Sequence, residues 1–237
     1  MRKLVSLEEA IKALDEAVAA KPLGSEVIGL EEALGRVLAE DLVAPVDVPG
    51  FRRATMDGYA VRAQDTFGAS LDEPVRLRLV GCVHIGERAE VDIGPGECVE
   101  VSTGSMLPRG ADAVVRLEGT LRSGEEILVF EPVVPGQNVM EADADIRKGQ
   151  KALLAGEILT PSRLGVLSAL GLRRVRVFVK PKVAVISTGV ELVEPGHPLE
   201  EGKIYDINWI SLAKAVEAVG GEAFFLGVAR DELEEIK

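Results

Sequence analysis

Two helices are predicted near the start of the chain from apolar positions that recur about every 3.6 residues. Over residues 6–19 the apolar side chains fall on one helical face, and Ser6 with Glu9 matches the capping box that begins many helices. Residues 30–40 repeat the same apolar spacing. We therefore predict a helix over each stretch, with a break at the Pro and Gly residues between them.

The apolar period changes to two between about residue 46 and residue 130. Val75, Leu77 and Leu79 alternate with arginines, and short apolar runs follow at residues 97–101 and 113–115. Gly and Pro residues separate these runs. The alternation and the frequent turns predict an all-β block of short strands that leaves no room for a substantial helix.

A third helix is predicted to begin at Thr160, because threonine is a good N-cap and Pro161 suits the first helical turn. Leucines at helical spacing follow, and Gly171 is expected to end the helix. A strand over residues 175–179 then leads to Pro181, which we expect to mark a boundary in the chain.

The pattern after Pro181 is that of an α/β domain. The continuous apolar run at residues 183–186 is typical of a buried parallel strand, and a long loop separates it from a helix predicted near 208–219. A second strand is predicted at residues 224–228, and Asp231 would cap one more helix. Two strands and one helix do not cover both faces of a parallel sheet, so we expect this domain to be incomplete in the chain.

Composition and charge narrow the function classes. The chain of 237 residues has 27 Lys and Arg against 39 Asp and Glu, which gives a net charge of −12. This excess of acids argues against binding to nucleic acid or to an anionic membrane surface. No signal-peptide core follows the first residues, and no apolar run reaches membrane-spanning length. We therefore expect a cytoplasmic protein.

The cysteines and histidines match no metal-binding motif. Cys82 and Cys98 lack CxxC spacing, which argues against a zinc site and against a disulfide framework. We also find no second histidine or cysteine at ligand spacing from His84 or His197, and we interpret both as structural or surface residues.

Asp57 poses the main chemical question of the sequence. It stands with Gly58 directly before a predicted strand. On its own the pair indicates a turn, because glycine tolerates positive φ and aspartate can bond its own backbone. The alternative is an acid held out for chemistry, and the neighbouring motifs are needed to decide.

Five stretches in the same order resemble motifs of one family, the molybdopterin molybdenumtransferases (the MoeA and gephyrin E-domain family). They are M-D-G-Y-A-V-R at 56–62, S-T-G-S-M-L-P-R-G-A-D-A-V-V at 102–115, N-V with D-I at 138–146, P-K-V-A-V-I-S-T-G-V-E-L-V-E-P-G at 181–196, and G-K-I-Y-D at 202–206. The resemblance extends over essentially the whole chain. We therefore interpret the chain as a member of this family that lacks its C-terminal part.

The resemblance implies a fold and a reaction. The fold is a multidomain α+β and α/β structure: an irregular helical segment at 1–45 and 147–178, a β domain at 46–146, and part of a molybdopterin-binding α/β domain at 179–237. The reaction is insertion of molybdate into adenylylated molybdopterin, with release of AMP and with Mg²⁺ required. A homodimer is implied, and a molybdopterin-adenylylating protein is a possible further partner.

The resemblance also implies site residues. By position they are the catalytic residues Asp57, Thr103, Asp145 and Glu191, of which the three acids would bind Mg²⁺, and the substrate-binding residues Gly104, Ser187, Thr188 and Gly189. Hard Mg²⁺ takes oxygen ligands, and hydroxyl and backbone N–H groups suit an anion. In the family the cleft lies between two subunits, so Asp57 and Asp145 are expected from one chain and Glu191 with Thr188 from its partner. Asp57 is thus expected to be both a turn residue and a site residue.

The chain departs from the family pattern at several positions. Arg52 and Met140 replace an Asp and an Arg, Asp143 with Ala144 replaces Gly-Glu, and Val190 replaces an Asp. Losing two carboxylates weakens a metal site. We therefore keep a second hypothesis, a non-catalytic molybdopterin-binding or scaffold module, and we expect the chain not to catalyse molybdate insertion alone.

Overall fold

The computed structural model describes residues 5–18 and 20–229. The chain forms two compact units: one contains residues 42–152, and the other contains the residues up to 41 together with those from 153 onward. We call the first the β unit and the second the α/β unit. The three-part domain division proposed from the sequence remains a prediction.

The helices are α1 (Leu7–Val18), α2 (Pro161–Ala169) and α3 (Asn208–Ala218), with short 3₁₀ turns at Leu30–Glu32, Ala63–Thr66 and Leu117–Gly119. The strands are β1 (Ser25–Gly29), β2 (Leu42–Val43), β3 (Arg53–Ala54), β4 (Gly58–Val61), β5 (Val75–Val83), β6 (Glu97–Val101), β7 (Ala113–Arg116), β8 (Thr120–Ser123), β9 (Glu126–Val129), β10 (Val139–Met140), β11 (Lys151–Leu153), β12 (Arg174–Phe178), β13 (Lys182–Thr188), β14 (Leu192–Val193), β15 (Ile204–Tyr205) and β16 (Glu222–Ala229).

Helices α1 and α2 begin as the sequence predicts. The backbone N–H of Ser6 donates to Glu9 Oε2 at 2.9 Å, and the backbone N–H of Glu9 donates to Ser6 Oγ at 3.2 Å, which completes the capping box. In α2 the backbone N–H of Arg163 donates to Thr160 Oγ1. Gly171 follows α2 with a φ of +75°, a conformation that favours glycine at a helix end.

The helix predicted over residues 30–40 is wrong. Only Leu30–Glu32 form a single 3₁₀ turn, and Gly35 interrupts the stretch with a φ of +74°. Leu38 instead bridges to Val177 of β12 in antiparallel fashion and is completely buried. Burial of this side chain in an extended segment outweighs the helical spacing of the local sequence.

The β unit is built on a six-stranded sheet with strand order β7-β4-β6-β5-β9-β8. All neighbours are antiparallel except the parallel pair β5 and β6. Apolar side chains pack on both faces, since Tyr59 and Val61 of β4 join one buried cluster and Ala60 joins another. The predicted all-β block is therefore confirmed, and β4 lies inside the sheet.

Strand β5 shows how the period of two maps onto the sheet. Leu77 is buried, while its neighbours Arg76 and Arg78 are exposed and form ion pairs with Glu126 and Glu97 on the adjacent strands. The alternation of apolar and charged residues thus separates core from solvent along the strand.

The α/β unit contains the strand, helix and strand predicted after Pro181. Strands β13 and β16 pair in parallel, and α3 connects them. The long loop before α3 contains the short parallel pair β14 and β15. Trp209 at the start of α3 stacks on Phe225 of β16 with ring centroids 4.5 Å apart. The helix predicted from Asp231 lies outside the described residues.

The two units together confirm the predicted multidomain class of α+β and α/β structure. In the part of the chain that the structure describes, no helix is both long and apolar enough to cross a membrane.

Candidate functional site

Asp57 and Thr103 meet at one end of the six-stranded sheet. Gly58 of β4 pairs with Val101 of β6, so the residue before β4 and the turn after β6 lie side by side. The backbone N–H of Thr103 donates to Asp57 Oδ1 at 2.6 Å, and the Thr103 hydroxyl donates to the same oxygen at 3.0 Å. Two predicted site residues from separate motifs are thus joined directly.

Gly58 explains the Asp-Gly pair in a different way from the sequence interpretation. It is not among the glycines with positive φ. A Cβ atom at this position would lie 1.9 Å from the carbonyl oxygen of Val115, so β4 and β7 can approach only if the residue is glycine. The Asp57 carboxylate accepts hydrogen bonds from Thr103 rather than from its own backbone, so the positive-φ explanation of the pair is wrong.

Asp57 is held in its charged form. The backbone N–H of Thr103, and next its hydroxyl, lower the pKa of the Asp57 carboxyl below its usual value. Both residues are exposed. Among the described residues no hydrogen bond to Asp57 Oδ2 is formed, whereas Oδ1 accepts two.

Gly104 occupies the tight turn that presents Thr103. The backbone N–H of Ser105 donates to the carbonyl of Ser102 at 3.0 Å, and Gly104 has a φ of +89°, as the third position of a type II turn requires. The backbone N–H of Gly104 donates to the carbonyl of Ala54. The N–H groups of Thr103 and Gly104 are thus both engaged within the chain, and the role of Gly104 in anion binding stays a prediction.

Asp145 is an exposed residue elsewhere in the β unit. Its backbone N–H donates to the carbonyl of Val48 at 2.9 Å, and the residue lines a shallow depression of about 560 Å³ together with Arg147 and Lys148. Asp143, which stands where the family has glycine, has a φ of +67° and receives a hydrogen bond from Arg147. The positive φ of this position explains why the family has glycine there. Aspartate is one of the other residues that tolerate a positive φ.

The predicted residues of the α/β unit lie where β13 ends. Ser187 is buried, and Thr188 is exposed at the carboxyl end of the strand. Gly189 has a φ of +146°, and its backbone N–H donates to the carbonyl of Ala229 at 3.2 Å. The carboxyl edge of parallel strands is a common ligand-binding position in α/β folds.

Glu191 lies in the turn that follows Gly189. Its carboxylate folds back over the glycine, with both oxygens 2.9 Å from the place that a Cβ atom of residue 189 would occupy. The backbone carbonyl of Glu191 accepts a hydrogen bond from the N–H of Ile204. The contact of the Glu191 carboxylate with Gly189 and the hydrogen bond of its carbonyl thus fix the conformation of this turn. Within the described residues, no group of three or more His, Cys, Asp or Glu side chains is arranged to hold a metal ion.

Asp206 belongs to the last of the five motifs but was not predicted as a site residue. It is buried, and its Oδ1 accepts the backbone N–H groups of Asn208 and Trp209 at the start of α3. Its Oδ2, the Ser187 hydroxyl and the Trp209 indole nitrogen are buried without a hydrogen-bond partner among the described residues. We call residues 187–191 and 206–209 the α/β tip. An aspartate two residues before the predicted start of a helix was the available sequence signal.

The departures from the family pattern have structural partners. Arg52 forms an ion pair with Glu141 at 3.0 Å, and the guanidinium of Arg53 contacts the sulfur of Met140. Val190 is exposed, and its backbone carbonyl accepts a hydrogen bond from Lys203. The substituted side chains therefore fit the fold without burying an unpaired charge.

The fold and the site define a multidomain α+β protein in which a charged aspartate lies beside a threonine at the end of a β sheet. The sequence profile of the MoeA N-terminal region (domain I and II) matches residues 5–171. The chain therefore belongs to the MoeA family.

Curated relatives and solved structures agree with this assignment. The chain is 37% identical over 206 residues to molybdopterin molybdenumtransferase 2 of Mycobacterium tuberculosis. The aligned region covers 87% of the chain and 51% of the relative. It is 38% identical over 216 residues to the molybdopterin molybdenumtransferase of Bacillus subtilis. This aligned region covers 89% of the chain and 50% of the relative. The chain thus spans about half the length of these relatives.

The fold matches crystal structures of the molybdopterin biosynthesis MoeA protein from Pyrococcus horikoshii. One comparison gives a TM-score of 0.91 at 42% identity and covers 99% of this chain and 62% of the other. A second gives a TM-score of 0.89 at 48% identity, with 99% and 59% covered.

Proposed function

We propose that this chain takes part in molybdenum cofactor biosynthesis as a molybdopterin molybdenumtransferase, in which molybdate is inserted into adenylylated molybdopterin and AMP is released. The observation that carries the proposal is the pair of hydrogen bonds from Thr103 to Asp57 Oδ1. Family membership and the names of the relatives support molybdopterin as the substrate class.

Asp57 is suited to hold Mg²⁺. Its carboxylate is charged at neutral pH, as is usual for aspartate, and the residue is exposed. Mg²⁺ commonly binds through one or two carboxylates and the phosphate oxygens of a substrate, and it keeps several waters. When bound, the ion neutralises charge on the phosphate groups. Thr103 would orient the Asp57 carboxylate through its two hydrogen bonds, as outer-shell partners of metal ligands do.

Asp145 and Glu191 would complete the acidic set. Both are exposed and so remain available to a cation. We assign Asp57 and Asp145 to one subunit of a homodimer and Glu191 with Thr188 to the other, because a two-fold dimer would then carry the same site twice. The carboxyl edge of β13, with Thr188 and Gly189, would receive the anionic part of the substrate.

The test is Mg²⁺-dependent AMP release from adenylylated molybdopterin and molybdate, measured on the polypeptide as its organism makes it. Asp57→Asn keeps an oxygen for Thr103 but removes the charge, and we expect a loss of about 100-fold. Thr103→Val removes only the hydroxyl bond, and we expect a loss of about 10-fold. Higher Mg²⁺ should restore part of either loss.

Asp65→Asn is the matched control. Asp65 also lies in the β unit, and its Oδ2 accepts the backbone N–H of Gly96 at 2.9 Å. This variant should keep full activity. Wild-type activity in Asp57→Asn would refute the assigned role, and a wild-type protein that binds molybdopterin without releasing AMP would indicate the scaffold alternative.

The shared site is tested by mixing two inactive variants. Asp57→Asn and Glu191→Gln subunits that exchange freely should form mixed dimers for about half of the population, each with one intact site. We expect about a quarter of wild-type activity on this count. Mixtures as inactive as each variant alone would place both acids in a site formed by a single chain.

A further inference from the structure

Cys82 and His84 form a side-chain pair that the sequence motifs do not reveal. His84 was interpreted as having no cysteine at ligand spacing, but Cys82 Sγ lies 3.6 Å from His84 Nε2. Cys82 is in β5, and side chains two residues apart along an extended chain point to the same side. The interpretation of His84 as a structural or surface residue agrees with its exposure, but motif spacing did not anticipate this contact, which forms where β5 ends at Val83.

The distance between the two donor atoms matches a metal coordination shell. Tetrahedral Zn²⁺ lies about 2.3 Å from cysteine sulfur and about 2.0–2.1 Å from histidine nitrogen. At the tetrahedral angle these bond lengths place sulfur and nitrogen about 3.5 Å apart. The separation of 3.6 Å in the folded chain is therefore compatible with one ion bound by both atoms.

The surroundings of the pair are open. Cys82 and His84 are both exposed. Glu100 of β6 is the register partner of Cys82, and its carboxylate accepts a hydrogen bond from Arg122. No third His, Cys, Asp or Glu joins the pair at ligand distance among the described residues. The pair can thus supply two donors, and water can reach the remaining coordination positions.

We propose that Cys82 and His84 form an open two-donor site for a thiophilic divalent cation, with Zn²⁺ as the occupant and water in the remaining positions. Coordination releases the thiol proton to solvent, because the thiolate is the ligand. One ion binds per chain. The site differs in chemistry from the proposed Mg²⁺ site, since soft sulfur donors select zinc-like ions and Mg²⁺ prefers oxygen.

Cobalt is the probe, because Co²⁺ replaces Zn²⁺ and its bond to a thiolate gives a charge-transfer absorption that carboxylates do not produce. Titration of the purified chain under reducing conditions should give this band together with the d–d bands of a tetrahedral site, and it should saturate at one Co²⁺ per chain. Added Zn²⁺ should abolish the bands, and a large excess of Mg²⁺ should leave them unchanged.

Four variants separate the proposed site from other binding. Cys82→Ser should abolish the charge-transfer band, and His84→Ala should weaken Co²⁺ binding at least about 10-fold, as removal of one ligand-side group does. Cys98→Ala and His197→Ala, which alter the other thiol and the other imidazole, should leave the titration unchanged.

Three results would overturn the proposal. They are the absence of a thiolate band in the wild-type chain, a band that persists in Cys82→Ser, and a saturation point of one Co²⁺ per two chains, which would mean that a second copy rather than water completes the shell. None of these measurements depends on molybdopterin chemistry, so the outcome is independent of the proposed function.

Discussion

The β unit and the α/β tip hold polar side chains in opposite ways. In the β unit, Asp57 Oδ1 receives two hydrogen bonds from Thr103, and the buried Ser105 hydroxyl donates to the carbonyl of Ser102 at 2.7 Å. In the α/β tip, the Ser187 hydroxyl and Asp206 Oδ2 are buried without a partner among the described residues. Both regions come from family motifs that contain serine, threonine and acidic residues.

The difference concerns what completes each region. The polar groups of the β unit are oriented by the chain itself, so the position of Asp57 does not depend on a ligand. Buried polar atoms without protein partners cost free energy, and native structures usually satisfy them with ordered water or a bound group. We therefore expect the polar side chains of the β unit to hold their positions without a ligand. We expect those of the α/β tip to depend on water or on a bound group.

The largest expected effect is that of Gly58→Ala, which would remove the preorganisation of the β unit. A Cβ atom 1.9 Å from the carbonyl oxygen of Val115 forces β4 away from β7. We expect the free energy of unfolding to fall by about 3 kcal/mol. Urea denaturation followed by circular dichroism measures the loss.

Gly165→Ala is the control for this substitution. Gly165 is exposed in the middle of α2. Apart from its chain neighbours and the helix backbone, no atom of the described residues lies within 4 Å of the place that an added Cβ atom would occupy. Alanine there should raise stability by up to about 1 kcal/mol. A Gly58→Ala protein as stable as the wild type would show that β4 and β7 accommodate the added Cβ atom and that their close approach does not require glycine.

A smaller effect comes from a matched pair of serines. Ser105→Ala removes a buried hydroxyl that has a partner, and we expect a loss of about 1 kcal/mol in the free energy of unfolding. Ser187→Ala removes a buried hydroxyl that has no partner in the described part of the chain, so the free energy of unfolding should stay unchanged or rise slightly. Equal losses in the two variants would mean that ordered water already satisfies Ser187, and the contrast between the regions would disappear.

The smallest effect is the pH dependence that Asp57 contributes. Because Thr103 lowers the pKa of Asp57 in the folded chain, the unfolded chain binds this proton more tightly. The stabilising contribution is therefore present above the ordinary carboxyl pKa and is lost as the pH falls through the lower folded value, that is below about pH 4. We would measure the urea midpoints of the wild type and of Asp57→Asn between about pH 2 and pH 6. The difference between the two midpoints should shrink as the pH falls, because the effect comes from the titration of one carboxyl group. A constant difference across the range would exclude this charge effect.

Local sequence signals were sufficient where they acted within a few residues. The capping box at Ser6 and Glu9 and the Thr160 cap form as the sequence predicts, because donor and acceptor lie within one helical turn. The period of two in β5 was equally reliable, since one face of the strand meets the core. The stretch around Leu38 failed for the opposite reason: its conformation depends on Val177, far away in the chain.

The candidate site shows the same limit. The motifs supplied Asp57 and Thr103, but only the pairing of β4 with β6 placed the two residues in contact. The buried Asp206 could have been found from its place before α3. The Cys82 and His84 pair was missed because ligand spacing was judged by sequence motif, without the geometry of an extended strand.

The sequence by itself determined the capped starts of α1 and α2, the alternation along β5, the acidic character of the chain and the residue types of the MoeA motifs, because these follow from composition and from contacts within a few residues. Tertiary structure alone decided that Gly58 is required by Val115, that Thr103 lowers the pKa of Asp57, and that the Ser187 hydroxyl is buried without a partner among the described residues. Each of these features depends on which distant segments pack together, and the free energy of that packing is a property of the whole fold.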